Sequence, residues 1–219
     1  MSIPKIIHQT FKTKKLPFIT RWHISRFLKR NPDYQYEFYD DERINKFLSE
    51  EYDTETFQLY KRINIGAAKA DFFRYALLYK VGGIYLDVDS DIKGKLDFIQ
   101  KEDAAIISKE RNPGFYVQWA MVYEPNHPFL KKTLELVLTN IKNNTFPNDV
   151  HKMTGPEVYS NAINLCLQEA SIPYRLLGVD YNGHFKFKYA LSKILYKKGD
   201  HWKKLQLTEP VLKPKDSIK

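Results

Sequence analysis

Two carboxylates one residue apart, Asp87 and Asp89, follow directly on a short apolar run, Ile84-Tyr85-Leu86. In an extended segment, residues two apart point the same way. The spacing therefore predicts that Asp87 and Asp89 share one face and that Val88 turns back into the core. Two carboxylates held side by side repel, and one keeps its proton unless a cation sits between them. Oxygen-only ligands suit a hard ion such as Mg²⁺ or Mn²⁺. Such an ion can bridge to a diphosphate and stabilise it as a leaving group. A calcium-binding loop starting at Asp87 would need Gly at position 92 and Glu at position 98; the chain has Ile92 and Phe98. A phosphohydrolase with Asp87 as nucleophile would want Thr or Val where Asp91 stands, and would place its motif on the first strand of the domain. That alternative stays open but is disfavoured.

The elements that must position this pair can be read around it. Ala68 to Tyr79 combines strong helix formers with an apolar stripe at helical spacing. Gly82-Gly83 ends that helix, since glycine readily takes the left-handed conformation just past a helix. Ile84-Tyr85-Leu86 is then a buried strand that delivers Asp87 at its carboxyl end, where open α/β sheets bind ligands. Asp71 and Arg74, three apart on the preceding helix, can face the same place, or simply pair with each other. Upstream, Lys5 to Gln9 reads as a first strand. A helix from about Thr20, a candidate N-cap, to Lys29 stops at Asn31-Pro32. Tyr34 to Tyr39 alternates as a strand, and Asp40 offers an N-cap for a helix through Leu48. Downstream, Ala104 to Ser108 and Val117 to Tyr123 read as strands. His127 to Lys142 and Pro156 to Leu167 read as helices, the latter with Thr154 as a candidate cap. The alternation predicts one α/β domain over 1–219 with a mixed, mainly parallel central sheet flanked by helices.

Composition narrows the class. The 219 residues are 43% hydrophobic and 28% charged, ordinary for a folded soluble protein. No stretch approaches the roughly 20 apolar residues of a membrane span, and Met1 to Gln9 lacks a signal-peptide layout. The single cysteine, Cys166, lies on a helix face and fits a buried thiol in a reducing compartment. These features predict a cytoplasmic protein, soluble or peripheral at a membrane. The formal charge is +9, and from Lys186 to Lys219 ten lysines face Asp200, Glu209 and Asp216. Within this basic segment, 186–219, Phe187, Leu191, Ile194 and Leu195 follow helical spacing. An amphipathic basic helix there could lie on an anionic membrane. A non-catalytic adaptor that binds nucleic acid or anionic lipid through this tail is the non-enzyme alternative. The tail carries no recognisable nucleic-acid module, so no nucleic-acid partner is expected.

The chain resembles the DXD-containing glycosyltransferases of the sugar-binding-region family, known as family 32. The resemblance begins with Ile3-Pro4-Lys5-Ile6-Ile7-His8-Gln9-Thr10 and continues through Asn31-Pro32-Asp33-Tyr34 and Asp40-Asp41. It is strongest over Ala70-Asp71-Phe72-Phe73-Arg74-Tyr75 and Gly82-Gly83-Ile84-Tyr85-Leu86-Asp87-Val88-Asp89. Later echoes are His127-Pro128-Phe129-Leu130, Thr154-Gly155-Pro156 and His201-Trp202. The resemblance implies a GT-A (Rossmann-like) fold and a retaining hexosyl transfer that needs Mn²⁺ or Mg²⁺. The donor it implies is a nucleoside-diphosphate sugar, with a UDP-sugar favoured and GDP-mannose as the other choice. The acceptor it implies is a glycan or glycolipid hydroxyl, as in polysaccharide biosynthesis. Carried over by position, Asp89 is the principal metal ligand, Asp87 is shared between donor and metal, and His201 completes the metal and diphosphate site. Asp71 and Arg74 bind sugar hydroxyls, with Arg74 also neutralising diphosphate. His8, Gln9, Thr10 and Phe11 meet the base and ribose, with Phe11 standing where the family commonly has Trp. Gln118 falls where the family often has Asn, and Asp91 matches nothing in the pattern.

Overall fold

The computed structural model describes residues 2–196 and 202–214. In chain order these form β1 (Ile6–Thr10), α1 (Phe18–Arg30), β2 (Gln35–Tyr39), α2 (Asp41–Glu51), α3 (Thr54–Arg62), α4 (Gly66–Val81), β3 (Gly83–Leu86) and β4 (Asp91–Ile92). There follow β5 (Ala105–Ser108), β6 (Ala120–Tyr123), α5 (Pro128–Asn143), α6 (Val150–Met153), α7 (Pro156–Glu169), β7 (Arg175–Leu177), α8 (Val179–Asn182), β8 (Phe185–Lys186), a 3-10 turn at Ser192–Leu195, and α9 (Trp202–Thr208).

Six strands make one sheet in the order β2-β1-β3-β6-β5-β7, and β4 pairs with β8 in a separate two-stranded ribbon. β1 runs parallel to both β2 and β3, β6 is antiparallel to β3 and β5, and β7 is parallel to β5. The sheet is therefore mixed and mainly parallel, with helices on both faces. Alternation along β3 and β6 divides the core. Tyr85, Met121 and Tyr123 face a layer that includes Phe72, Phe73 and Leu77 of α4, Phe129 and Val137 of α5, and Tyr159 of α7. Ile84, Leu86, Ala120 and Val122 face the other layer, with Ile24 and Phe27 of α1 and Phe185. Further along the chain, Asn64 donates to the carbonyl of Val211 at 2.8 Å, which ties Val211 and Leu212 back onto the first of these layers. Among the described residues no helix is long and apolar enough to cross a membrane.

The elements depart from the sequence reading in instructive places. α4 carries no apolar stripe: every residue from Asp71 to Leu78 is buried, because sheet and helices enclose it on all sides. α1 starts at Phe18 after Pro17, and Thr20 is not its cap; its hydroxyl is buried 2.6 Å from that of Tyr189. Asp40 does cap α2, accepting from the Arg43 amide at 3.0 Å. Gly155, not Thr154, precedes α7 at the cap position, since the Thr154 hydroxyl is spent on Asp71. The amphipathic helix expected from Phe187 to Leu195 does not form. Lys188 and Leu191 sit at φ 56° and 67°, and left-handed residues interrupt a right-handed helix. Only the single 3-10 turn at Ser192–Leu195 remains there.

Candidate functional site

β3 is four fully buried residues at the middle of the sheet, and its start is set by two glycines. Gly82 ends α4 at φ 68° and Gly83 opens β3 at φ 99°, angles that disfavour any residue with a Cβ. A Cβ on Gly83 would also stand 2.7 Å from the Ile6 carbonyl oxygen, and one on Gly82 would stand 2.7 Å from Pro125. The double glycine thus lets α4 reverse tightly into β3 while β1 lies against it. The last ladder bond beyond β3 is from the Asp87 amide to the Trp119 carbonyl at 2.8 Å.

After Asp87 the extended conformation stops. The Ser90 amide donates to the Asp87 carbonyl at 2.8 Å, so Asp87 to Ser90 is a turn. The expectation that Asp87 and Asp89 share the face of an extended strand is corrected here: a turn brings them together. Val88 is buried as expected, against Tyr189 and Leu195. The Asp89 carbonyl accepts from the Tyr189 amide at 2.9 Å, which holds the segment after β8 over the turn.

Asp87 is anchored from behind. Its Oδ1 accepts from the Tyr85 hydroxyl at 3.1 Å and pairs with Arg74 Nη2, also at 3.1 Å. The same Nη2 lies 3.3 Å from Asp71 Oδ1, Arg74 Nη1 donates to the Gln118 carbonyl at 2.9 Å, and the guanidinium covers the Tyr85 ring. Asp71 in turn accepts from Gln118 Nε2 and the Thr154 hydroxyl, each at 3.1 Å. Asp71, Arg74 and Asp87 therefore form one acid–base–acid row that runs from buried Asp71 and Arg74 out to the partly exposed Asp87. The expected pairing of Asp71 with Arg74 is present, and it extends to the motif.

Burial dominates the electrostatics. It pushes the Asp71 carboxyl up to about 7, reinforced by the charge of Asp87 and opposed by Arg74. Asp89 is pushed up to about 6 by burial and then by Asp87, with Lys188 and the Tyr196 hydroxyl pulling down. Burial also raises Asp87, against the opposing charge of Arg74. A carboxylate pair held in this state is one that a cation would relieve.

The oxygens fit such a cation. Asp87 engages its partners through Oδ1, and Asp89 receives the Tyr196 hydroxyl on Oδ2 at 3.2 Å. The two carboxylates would suit a hard divalent ion, which typically takes one or two carboxylates and completes its shell with water and phosphate. Among the described residues there is no group of three or more His, Cys, Asp or Glu side chains that could hold a metal. His201, the expected third ligand, lies outside the described residues.

The first-strand residues are held differently. His8 is fully buried, its Nε2 donating to the Gly82 carbonyl at 3.0 Å, and burial lowers its pKa to about 4. It is a neutral imidazole clamping the glycine turn. Gln9 is also fully buried and donates to the Asp87 carbonyl at 3.3 Å while accepting from the Tyr36 hydroxyl at 3.0 Å. Thr10 donates to the Tyr39 carbonyl at 2.8 Å. Phe11 is half-buried, edge-on to Tyr196 with ring centres 6.3 Å apart. Of these four, Phe11 is linked to the second carboxylate through Tyr196, whose ring it meets and whose hydroxyl donates to Asp89. Asp91, omitted from the site, is buried in an ion pair with Arg26 and lies 3.4 Å from His23 Nδ1, both of α1.

The family model described as a glycosyltransferase sugar-binding region containing a DXD motif matches residues 20–106, a stretch that contains Asp71, Arg74, Asp87 and Asp89. Over that stretch the chain is similar to the DXD-containing glycosyltransferases. It is 34% identical over 142 residues to a mannosyl phosphorylinositol ceramide synthase of Saccharomyces cerevisiae, covering 61% of this chain and 34% of that protein. An inositol phosphoceramide mannosyltransferase of Schizosaccharomyces pombe is 33% identical over 158 residues, covering 71% of this chain and 43% of that one. The chain thus spans about a third to a half of the length of these relatives. Among solved structures, the PaToxG glycosyltransferase matches with a TM-score of 0.62 at 22% identity, covering 75% of this chain and 70% of that chain. That likeness supports the GT-A architecture.

Four contributors escaped the sequence reading. Tyr85 lies two residues before Asp87, and strand alternation alone could have placed it beside that carboxylate. Thr154 was read as a cap and as part of the resemblance, not as a partner of Asp71. Lys188 and Tyr196 act on the motif from about a hundred residues away, and no local pattern marks them. Gln118, which stands where the family often has Asn, has a buried amide that donates to Asp71 and to the Tyr75 hydroxyl. Trp119 is buried against Phe187, so its ring packs inside the fold.

Proposed function

We propose that this chain is a metal-dependent retaining glycosyltransferase that moves a hexose from a nucleoside-diphosphate sugar to a hydroxyl of a glycan or glycolipid. The observation that carries the reading is the Asp87–Asp89 turn at the carboxyl end of β3, with Arg74 neutralising Asp87 from behind. Asp87 and Asp89 would hold a divalent ion, Mn²⁺ or Mg²⁺, which would stabilise the departing diphosphate. Asp71 and Arg74 hold Asp87 in register, and Phe11 offers its ring to the base. The acceptor oxygen bonds to the anomeric carbon on the face that the diphosphate leaves, and the acceptor proton passes to the departing phosphate oxygen.

The mannosyl transfer in the relatives' names raises GDP-mannose beside the UDP-sugars as donor, and the ceramide in them favours a glycolipid acceptor. The test is a screen of nucleotide sugars by thermal shift with and without Mn²⁺, followed by donor turnover. A donor that binds only the folded state, at free concentration L, stabilises it by RT ln(1 + L/Kd) and so raises Tm as its concentration exceeds Kd. Selective stabilisation by one nucleotide sugar, dependent on Mn²⁺ and lost in Asp89→Ala, is the expected result. Transfer or donor hydrolysis that survived both chelation and Asp89→Ala would refute it. Phosphate release from simple phosphomonoesters would favour the phosphohydrolase alternative.

A further inference from the structure

The basic C-terminal stretch fails to form an amphipathic helix between Phe187 and Leu195, but a helix of that kind exists at the other end of the chain. From Lys12 to Arg30 there are seven Lys and Arg residues and no Asp or Glu. α1 buries Thr20, His23, Ile24 and Phe27 and turns its opposite side to solvent. Phe18, Trp22, Ser25 and Lys29 fall at positions that share one helix face, and all four are exposed. Phe18 is 74% exposed and Trp22 46%, an uncommon outlay of aromatic surface for one turn of helix.

Beside this face runs an open groove of about 450 Å³. Its floor is Leu16, Ile24, Leu28 and Phe38, and Arg21 and Lys29 stand on its rim. The charge is unevenly spent. Arg26 pairs with Asp91, and Lys14 pairs with Asp40 at 3.4 Å. Lys15, Arg21 and Lys29 hold no ion pair among the described residues, and α1 has no acidic residue in its first turn. A partner for this surface must therefore bring negative charge to the rim and apolar substance to the groove and to Phe18 and Trp22.

We propose that the outer face of α1 and its groove dock on the surface of an anionic lipid bilayer. Aromatic side chains favour the interface between headgroups and acyl chains, and cations beside them attract anionic headgroups. The groove takes the upper part of one lipid, with its phosphate at Arg21 and Lys29. A nucleic acid would satisfy the same cations, but Leu16, Ile24 and Leu28 line much of the groove with aliphatic carbon beside the rings of Tyr36 and Phe38, which suits an acyl chain better than a run of stacked bases. The proposal does not depend on the glycosyltransferase reading, because binding is measured without donor or metal.

The experiment is co-sedimentation of the full chain with vesicles of phosphatidylcholine alone and of phosphatidylcholine mixed with phosphatidylserine. Binding to the mixed vesicles only, weakening with added salt, is expected. Arg21→Gln with Lys29→Gln should lower partitioning about thirty-fold, at about 1 kcal/mol for each cation. Phe18→Ser with Trp22→Ser should lower it as well, and all four positions are exposed, so the fold is retained. Lys101→Gln with Lys131→Gln, exposed cations on other elements, should leave it unchanged. Equal losses in the two lysine and arginine pairs would overturn the proposal, as would equal binding to both vesicle types. So would binding to an oligonucleotide without binding to vesicles, or a dimer that the Phe18 and Trp22 changes dissociate in place of vesicle binding.

Discussion

The guanidinium of Arg74 lies 3.1 Å from the carboxylate of Asp87, and the same nitrogen lies 3.3 Å from Asp71. One cation on α4 thus fixes the first carboxylate of the motif to the helix that precedes it. Arg74 is 5% exposed, and a buried ion pair stripped of one partner leaves an uncompensated charge. Arg74→Ala should therefore destabilise the fold by about 3–5 kcal/mol. Arg74→Lys should recover only part of this, since an ammonium cannot span Asp71, Asp87 and the Gln118 carbonyl in one plane. Urea unfolding midpoints measure both, and an Arg74→Ala midpoint equal to that of the parent would remove the row's structural role.

The raised Asp71 carboxyl makes stability depend on pH with a definite sign. Unfolded, the group titrates near 3.8; folded, at about 7. Between those values the native chain holds the extra proton, so this group's contribution to stability is full below about pH 4 and is lost as the pH rises through about 7. His8 works in the opposite direction. Its folded pKa near 4 lies below its ordinary 6.5, so its neutral imidazole costs stability as the pH falls through that range. The readout is thus the difference between the parent and Asp71→Asn, followed as Tm against pH in metal-free buffer. The parent should lose ground to the variant as the pH rises from about 4 to about 7. Parallel curves would contradict the raised carboxyl.

What the sequence disclosed and what it hid divide along physical lines. Gly82-Gly83 and the run Ile84-Tyr85-Leu86 are local signals, and they placed Asp87 correctly at the end of β3. The Asp87–Asp89 geometry was misread because strand alternation was extended past Leu86, while the hydrogen bond that decides it is the turn from Ser90 to Asp87. Thr154 resembled a cap because capping is a local habit of threonine, yet a buried carboxylate 83 residues earlier took its hydroxyl. His8 and Gln9 read as polar residues at a strand end. Only the packing of β1 against the glycine turn shows that their side chains are consumed internally. The Phe187 to Leu195 pattern had helical spacing, but the left-handed backbone at Lys188 and Leu191 is invisible to periodicity.

Gly83 can be tested directly for its two burdens, the positive φ and the crowding by β1. Gly83→Ala places a Cβ 2.7 Å from the Ile6 carbonyl oxygen and 3.2 Å from His8 Nε2. Neither neighbour can yield without opening the β1–β3 pairing, so the variant should lose more than about 3 kcal/mol or fail to fold. Gly94→Ala meets nothing within 4 Å and should change stability by less than about 1 kcal/mol. Denaturant titration of the two variants decides it, and equal small losses would show that β1 does not constrain the turn.

Tyr196 offers the sharpest test of the second carboxylate. Its hydroxyl donates to Asp89 Oδ2 at 3.2 Å, and its ring stands edge-on to Phe11. A hydrogen bond to the ionised form holds a carboxyl pKa down, so Tyr196→Phe should raise Asp89 above its present value of about 6. The phenyl ring keeps the contact with Phe11, which confines the change to the hydroxyl. Protons compete with a divalent ion for the same carboxylate. Mn²⁺ affinity of the variant should therefore fall about tenfold near pH 6, the size typical of losing a group that orients a metal ligand. The gap should narrow toward about pH 8, where Asp89 is ionised in both proteins. Calorimetric Mn²⁺ titrations of parent and variant at the two pH values measure this. An affinity gap that is absent near pH 6, or that widens as the pH rises, would exclude Tyr196 as the residue that keeps Asp89 ionised.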